Sequence, residues 1–284
     1  MDYEGLNIYD YCHKRLFNYC RLKGYSTTNT YQVYKNILET ILKKFPDPET
    51  AKLTQIQDFA ASFKNDNTRK NICVVTRWLF NSVYSKNIDY RELPYPKKKK
   101  KIQAVYSHQD ILKVLSAIKN EKQKAILALI IDGGLRISEP CNILLTDCNS
   151  KQGSITLRYS KGDNDRVIYP SPYVWELIKK YWNAWGNEAP KKYLFEGQIK
   201  GCPYSSTSIR ETIKRYCIVA GVKYLGVHAI RRFTITWSIE NEIPISVMAK
   251  KVGHSSVKTI ENHYAIHSPT YLKNIKSPIS QIKI

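Results

Sequence analysis

The sequence predicts a mainly α-helical protein with a small β-sheet, built as a helical N-terminal domain followed by a mixed α/β domain. Three observations predict it. Apolar residues recur at helical spacing through most of the chain. Only one stretch, Ile155 to Tyr169, reads as a pair of short strands. Between the two parts, Leu93-Pro94-Tyr95-Pro96 runs into five consecutive lysines, Lys97 to Lys101. Prolines disfavour helix and like charges repel, so this is an extended linker. The expected division is 1–93 for the helical domain, 94–106 for the basic linker and 107–284 for the mixed domain.

In the N-terminal part, Ser26-Thr27-Thr28 can cap a helix carrying Tyr31, Tyr34, Ile37, Leu38, Ile41 and Leu42 on one face. Pro46 and Pro48 end it. Leu53, Ile56, Phe59, Ala60 and Phe63 form a second stripe. Thr68 opens a third helix, with Ile72, Val75, Trp78, Leu79 and Val83 together. The result is a small helical bundle.

In the C-terminal part, Ser107 caps a helix through Leu112, Val114, Leu115 and Ile118. Ala125 to Ile131 is apolar on all sides, which predicts a central helix, and Gly133-Gly134 ends it. Ile155–Tyr159 and Val167–Tyr169 form a hairpin around Lys161-Gly162-Asp163-Asn164. Helices follow at 174–182, 208–220, 228–239, 246–252 and 257–264.

Charge narrows the partner. Lys+Arg number 45 against 24 Asp+Glu, a net +21 in 284 residues. Residues 1–96 carry +4, 97–106 carry +5 and 107–284 carry +12. Such asymmetry points to a polyanion. No apolar run reaches the roughly 18 residues of a membrane span, and Met1-Asp2-Tyr3-Glu4 does not open a signal peptide. The expectation is a cytoplasmic protein without a membrane partner. The seven cysteines are odd in number and lack Cys-x-x-Cys spacing, which predicts reduced, mostly buried thiols. The lysine run is either a solvated hinge or a strap along a phosphate backbone; the overall charge favours the strap.

The chemistry lies in six residues: Arg136, Lys161, His228, Arg231, His254 and Tyr264. Two arginines can hold phosphate oxygens bidentately and neutralise charge that builds in a transition state. A tyrosine oxygen can attack phosphorus and keep it as an ester. A lysine or histidine can protonate the leaving oxygen. Arg136 follows a Gly-Gly break and is expected at a helix N-terminus, where anions are welcome. Glu139 is near enough to orient it, although a solvated glutamate is the ordinary state. His228 and Arg231 lie three apart on one helix and share a face. Taken singly, Arg136 also reads as a turn arginine, and Lys161 and His254 as solvated turn residues. His263 and His267 suggest zinc, but no cysteine or carboxylate completes the set. No metal or other cofactor is expected.

The pieces Gly134-Leu135-Arg136-Ile137-Ser138-Glu139, Lys161-Gly162 with Arg166 beyond the turn, His228-x-x-Arg231, Gly253-His254-Ser255-Ser256, and Tyr264 ten residues after His254 resemble, in this order, the tyrosine recombinases, the integrase/Xer-type site-specific DNA recombinases. The likeness extends to the helical half and the linker, which are similar to that family's core-binding domain and its connection. It implies a clamp around duplex DNA and a metal- and ATP-independent strand-transferase. Tyr264 would be the nucleophile of a 3′-phosphotyrosyl intermediate. Arg136 and Arg231 would clamp the phosphate, Lys161 would be the general acid, His228 a proton-handling partner and His254 a hydrogen-bond donor. A synaptic homo-tetramer and a Holliday junction are also implied. Pro140 and Arg232 depart from the leucine and histidine common in the family. Tyr271 is the rival nucleophile, at the wrong spacing. Two alternatives keep part of the pattern: a type IB topoisomerase-like relaxing enzyme and a non-catalytic DNA-binding protein.

Overall fold

The computed structural model describes residues 5–24, 29–97, 104–158, 165–184 and 190–253. The chain divides into two compact units, Met1–Lys101 and Ile102–Ile284.

Among its described residues the first unit has four helices: α1 (Ile8–Leu22), α2 (Asn29–Lys44), α3 (Leu53–Ala61) and α4 (Asp66–Ser82). α2 packs against both α1 and α4, and α3 against α4. Leu38, Ile41, Ile56, Leu79 and Phe80 are fully buried between them. The residue pattern did not predict α1. Its buried stripe is Cys12, Leu16 and Cys20, four residues apart. With one buried residue per turn the stripe is narrow, although its spacing is helical. α4 begins two residues before Thr68, because the Asn65 side chain accepts from the amides of Asn67 and Thr68 and becomes the cap. The expected Ser26–Thr28 cap lies outside the described residues. After α4, Leu93 is buried and the Cys73 thiol donates to the Pro94 carbonyl. The Arg77 guanidinium lies over the rings of Tyr95 and Tyr90, at 4.5 and 5.1 Å. Lys98–Lys101 lie outside the described residues.

The second unit is mixed. α5 (His108–Ala117) opens on Ser107, whose hydroxyl accepts from the Asp110 amide while Asp110 accepts from the Ser107 amide. α6 (Glu121–Gly133) is the central helix, buried from Ala125 to Ile130 and packed on by α5 and by three helices that follow the sheet. It stops at Gly134, whose φ of 59° is left-handed. The antiparallel sheet has the order β1 (Cys148–Asn149), β2 (Ser154–Leu157), β3 (Arg166–Ile168). Its register pairs Cys148 with Ile155, Ile155 with Ile168 and Leu157 with Arg166. β2 begins one residue before the predicted Ile155 and ends earlier, at Leu157; β3 keeps the predicted length but is shifted one residue toward the N-terminus, and two-residue β1 was not predicted. The turn 161–164 lies outside the described residues. Then come α7 (Pro172–Asn183), α8 (Ser206–Val219), α9 (Val227–Glu240) and α10 (Ile245–Val252). The expected helix 257–264 also lies outside them. Among the described residues no helix is long and apolar enough to cross a membrane. All seven cysteines are free thiols; five are buried, Cys148 is half-buried and Cys202 is exposed.

Candidate active site

α10 ends at Val252, and Gly253 turns the chain with a φ of 67°. Three arginines from three different elements meet this end. Arg166, the first residue of β3, donates through Nε to the Lys251 carbonyl at 3.1 Å. Arg231, in α9, donates through Nη2 to the Val252 carbonyl at 2.6 Å. Arg136, just beyond α6, donates through Nη2 to the Gly253 carbonyl at 3.0 Å. The last carbonyls of a helix have no partner within it and carry its negative dipole end, so cations there satisfy both needs. Arg231 also reaches the Gly134 carbonyl, at 2.7 Å through Nη1, and is only 4 % exposed.

Glu139 joins two of the arginines. It accepts the Arg136 backbone amide at 2.7 Å and Arg136 Nη1 at 2.9 Å. It also takes Arg166 as a two-point pair, both contacts at 2.8 Å. Burial pushes its carboxyl upward. The Arg166 hydrogen bonds and charge, followed by the Arg136 amide and charge, outweigh that and leave it below the usual carboxylate range. The expected orienting contact to Arg136 is present, but Glu139 is buried, not solvated. Sequence reasoning missed its pairing with Arg166. The available signal was a lone arginine at the far side of the hairpin turn and an acid three residues after Arg136.

Arg136 does not begin an α-helix. It precedes a turn and the three-residue 3₁₀ helix Pro140–Asn142. Pro140 opens that helix, where a missing amide costs nothing. Arg136 is therefore held by Glu139 and by the end of α10. His228 and Arg231 occupy the first turns of α9 as predicted, but Arg231 points into the buried cluster while His228 is exposed. Partial burial of the imidazole, then the charges of Arg231, Arg232, Arg136 and Arg210, hold His228 below its ordinary pKa of 6.5. Arg232 turns elsewhere, donating to the Ala104 carbonyl at 3.2 and 2.9 Å. Lys161, His254 and Tyr264 lie outside the described residues, as do Tyr271, His263 and His267. Among the described residues no three His, Cys, Asp or Glu side chains gather as a metal site.

The cluster presents a dense positive charge around the residue that precedes His254. That suits an anion such as a phosphodiester.

Comparison with known proteins points in the same direction. Residues 104–270 match the model of the phage integrase family. A putative integrase/recombinase, y4eF, of Sinorhizobium fredii is 27% identical over 192 residues, covering 67% of this chain and 75% of the relative. Tyrosine recombinase XerA of Pyrococcus furiosus is 26% identical over 201 residues, covering 70% and 68%. Among solved structures, a lambda integrase (75–356) dimer bound to a COC′ core site superimposes with a TM-score of 0.71 at 16% identity, covering 87% of this chain and 95% of that one. A XerA recombinase gives 0.55 at 19% identity, covering 93% and 96%. The family match spans all six residues singled out in the sequence, and the chain belongs to the phage integrase family as a tyrosine recombinase, a site-specific DNA recombinase and strand-transferase.

Proposed function

We propose that Arg136, Lys161, His228, Arg231, His254 and Tyr264 form the cleavage site of this recombinase. Tyr264 attacks the scissile phosphorus. A phosphorus–oxygen bond to tyrosine forms, the bond to the 5′-oxygen breaks, and the DNA is left with a 3′-phosphotyrosyl link and a free 5′-hydroxyl. Lys161 gives the departing 5′-oxygen its proton, and His228 handles a proton beside Arg231. Arg136 and Arg231 hold the non-bridging oxygens, and His254 donates to one of them. A 5′-hydroxyl of the partner duplex then attacks the phosphotyrosine and restores the DNA. The energy of the broken bond is kept in the ester, so no ATP is consumed.

The observation that carries this reading is the convergence of Arg136 and Arg231 on the carbonyls of Gly253 and Val252, directly before His254. The helical segment 1–93 is assigned to core binding, 94–106 to a basic strap and 107–284 to catalysis, with four copies assembling on synapsed duplexes in the cytoplasm. A lambda integrase tetramer bound to a Holliday junction and XerH bound to difH before and after cleavage, at 16–18% identity, support that assembly by likeness of fold.

The test uses nicked suicide duplexes with a randomised core. Duplexes that stay attached to protein after SDS are recovered and sequenced. Wild type and Tyr271→Phe should give the adduct and Tyr264→Phe should not. An adduct that persists in Tyr264→Phe overturns the assignment.

A further inference from the structure

We propose that Arg166 is a positioning residue for strand cleavage, one that fastens Glu139, and through it Arg136, to the end of α10 from which the chain leaves for His254. The inference rests on the reading of Arg136 and His254 as phosphate ligands.

Arg166 opens β3 opposite Leu157 of β2. A guanidinium has five N–H donors in a fixed planar fork. Arg166 spends Nη1 and Nη2 on the two oxygens of Glu139 and Nε on the Lys251 carbonyl. Its side chain is 9 % exposed and that of Glu139 is 5 %. All three donating nitrogens of Arg166 are therefore engaged by the protein itself, with both Glu139 oxygens and the Lys251 carbonyl as acceptors.

The contacts close a ring. Arg166 holds Glu139, Glu139 holds the backbone and side chain of Arg136, and Arg136 holds the Gly253 carbonyl. Gly253 lies two residues from Lys251, which Arg166 holds directly. The hairpin strand, the Arg136 turn and the α10 end are thereby set relative to one another by charge-assisted bonds. The Arg166 side chain also packs against Gly253. A Cβ there would stand 2.8 Å from Nη1 and 3.1 Å from both Cδ and Cζ, on a residue whose φ is already 67°. The turn at Gly253 is thus shaped around Arg166. Lysine carries the charge but not the fork, so it cannot hold Glu139 at two points and Lys251 at a third.

A positioning role and a purely structural one differ in what they move. The variants are Arg166→Lys, Arg166→Gln, Glu139→Gln and the Glu139→Gln/Arg166→Gln double. Each is measured for single-turnover cleavage of a recovered suicide duplex at saturating concentration, for affinity by gel shift, and for melting. Amide exchange of the peptic peptide over residues 247–253 is followed without DNA. Arg166→Lys should cleave on the order of 10²-fold slower while affinity stays within about twofold. Exchange over 247–253 should quicken while the first unit is unchanged. The two Gln changes should be strongly non-additive, the second costing less once the first is made.

A wild-type cleavage rate in Arg166→Lys overturns the proposal. So does a parallel fall in rate and affinity, or independent multiplication of the two Gln effects. If Arg166→Gln does not fold, the lysine variant and the exchange measurement decide. Failure of the cleavage-site reading would show separately, as no Tyr264-dependent adduct in the wild type; the exchange result would still report whether Arg166 holds the α10 end.

Discussion

Arg231 Nη1 donates to the Gly134 carbonyl at 2.7 Å, tying the α9 arginine to the residue that ends α6. Gly134 can serve because it adopts a φ of 59°, and because a Cβ there would stand 2.8 Å from Val252 Cγ1. The same backbone point therefore ends the central helix, receives Arg231 and makes room for α10. Gly134→Ala should cost about 1–3 kcal/mol from the left-handed backbone alone, before any clash with Val252. Urea unfolding measures it. A midpoint equal to wild type would show that this turn relaxes freely.

The two neighbouring arginines of α9 should behave unlike each other. Arg231→Lys loses the fork that spans the Gly134 and Val252 carbonyls. Cleavage should fall by about 10²–10³-fold, the scale for removing one donor to a developing anion. Arg232→Lys should change the rate little, because Arg232 turns away from that cluster to the Ala104 carbonyl. Single-turnover rates on saturated DNA compare them. Equal losses would place Arg232 in the site.

Much of this was readable in the residues, and the failures have physical reasons. The all-apolar run from Ala125 to Ile131 marked α6, and Ser107 with Asp110 marked the start of α5, because those signals are local. α1 was missed because its buried face is only Cys12, Leu16 and Cys20, one residue per turn, too narrow a stripe to stand out in the sequence. β1 was missed because two residues hold no period. Arg136 was expected at a helix start, but Pro140 opens a 3₁₀ turn instead. The burial of Glu139 was not foreseen because its second partner, Arg166, is 27 residues away and reaches it only through the fold. The motifs that name the proposed site residues are local, whereas the scaffold that holds Arg136, Glu139 and Arg231 is tertiary.

His228 provides a pH signature. Its folded pKa lies below the ordinary 6.5, from partial burial and then from four arginines. A depressed pKa means that the unfolded chain binds the proton more readily. The stability from keeping His228 neutral is present above about 6.5 and is lost as pH falls through the folded value. Wild-type urea midpoints should drop on acidification through that window, and His228→Asn should flatten that part of the slope. Bound DNA brings negative charge beside the ring and should move its titration upward, as followed by imidazole NMR. An upward-shifted titration in free protein would contradict the arginine environment.

Cleavage should survive excess EDTA. On the proposed reading of the site, Arg136 and Arg231 bring to the phosphate the positive charge that Mg²⁺ brings in other phosphoryl-transfer sites. The covalent adduct is scored with and without chelator on one suicide duplex. Loss of the adduct that added metal restores would show that the arginines alone are insufficient.

Anchoring and chemistry should separate between two sets of lysines. Lys97 to Lys101 hold the highest charge density in the sequence. Replacing them with alanine should weaken binding to all duplexes alike. It should also flatten the salt dependence, by about 0.9 in log–log slope for each phosphate no longer neutralised. Cleavage on saturated DNA should change little. Lys161→Ala should do the reverse, binding nearly as wild type but expelling the 5′-oxygen slowly. A duplex with sulfur at the 5′-bridging position has a leaving group that needs no proton, so it should restore the rate of Lys161→Ala if that lysine is the general acid. The comparison is the single-turnover rate of each variant on oxygen and sulfur duplexes of one sequence. If sulfur leaves Lys161→Ala slow, Lys161 is a contact to phosphate or base, and the proton must come from another group, with His228 beside Arg231 the next to be tested.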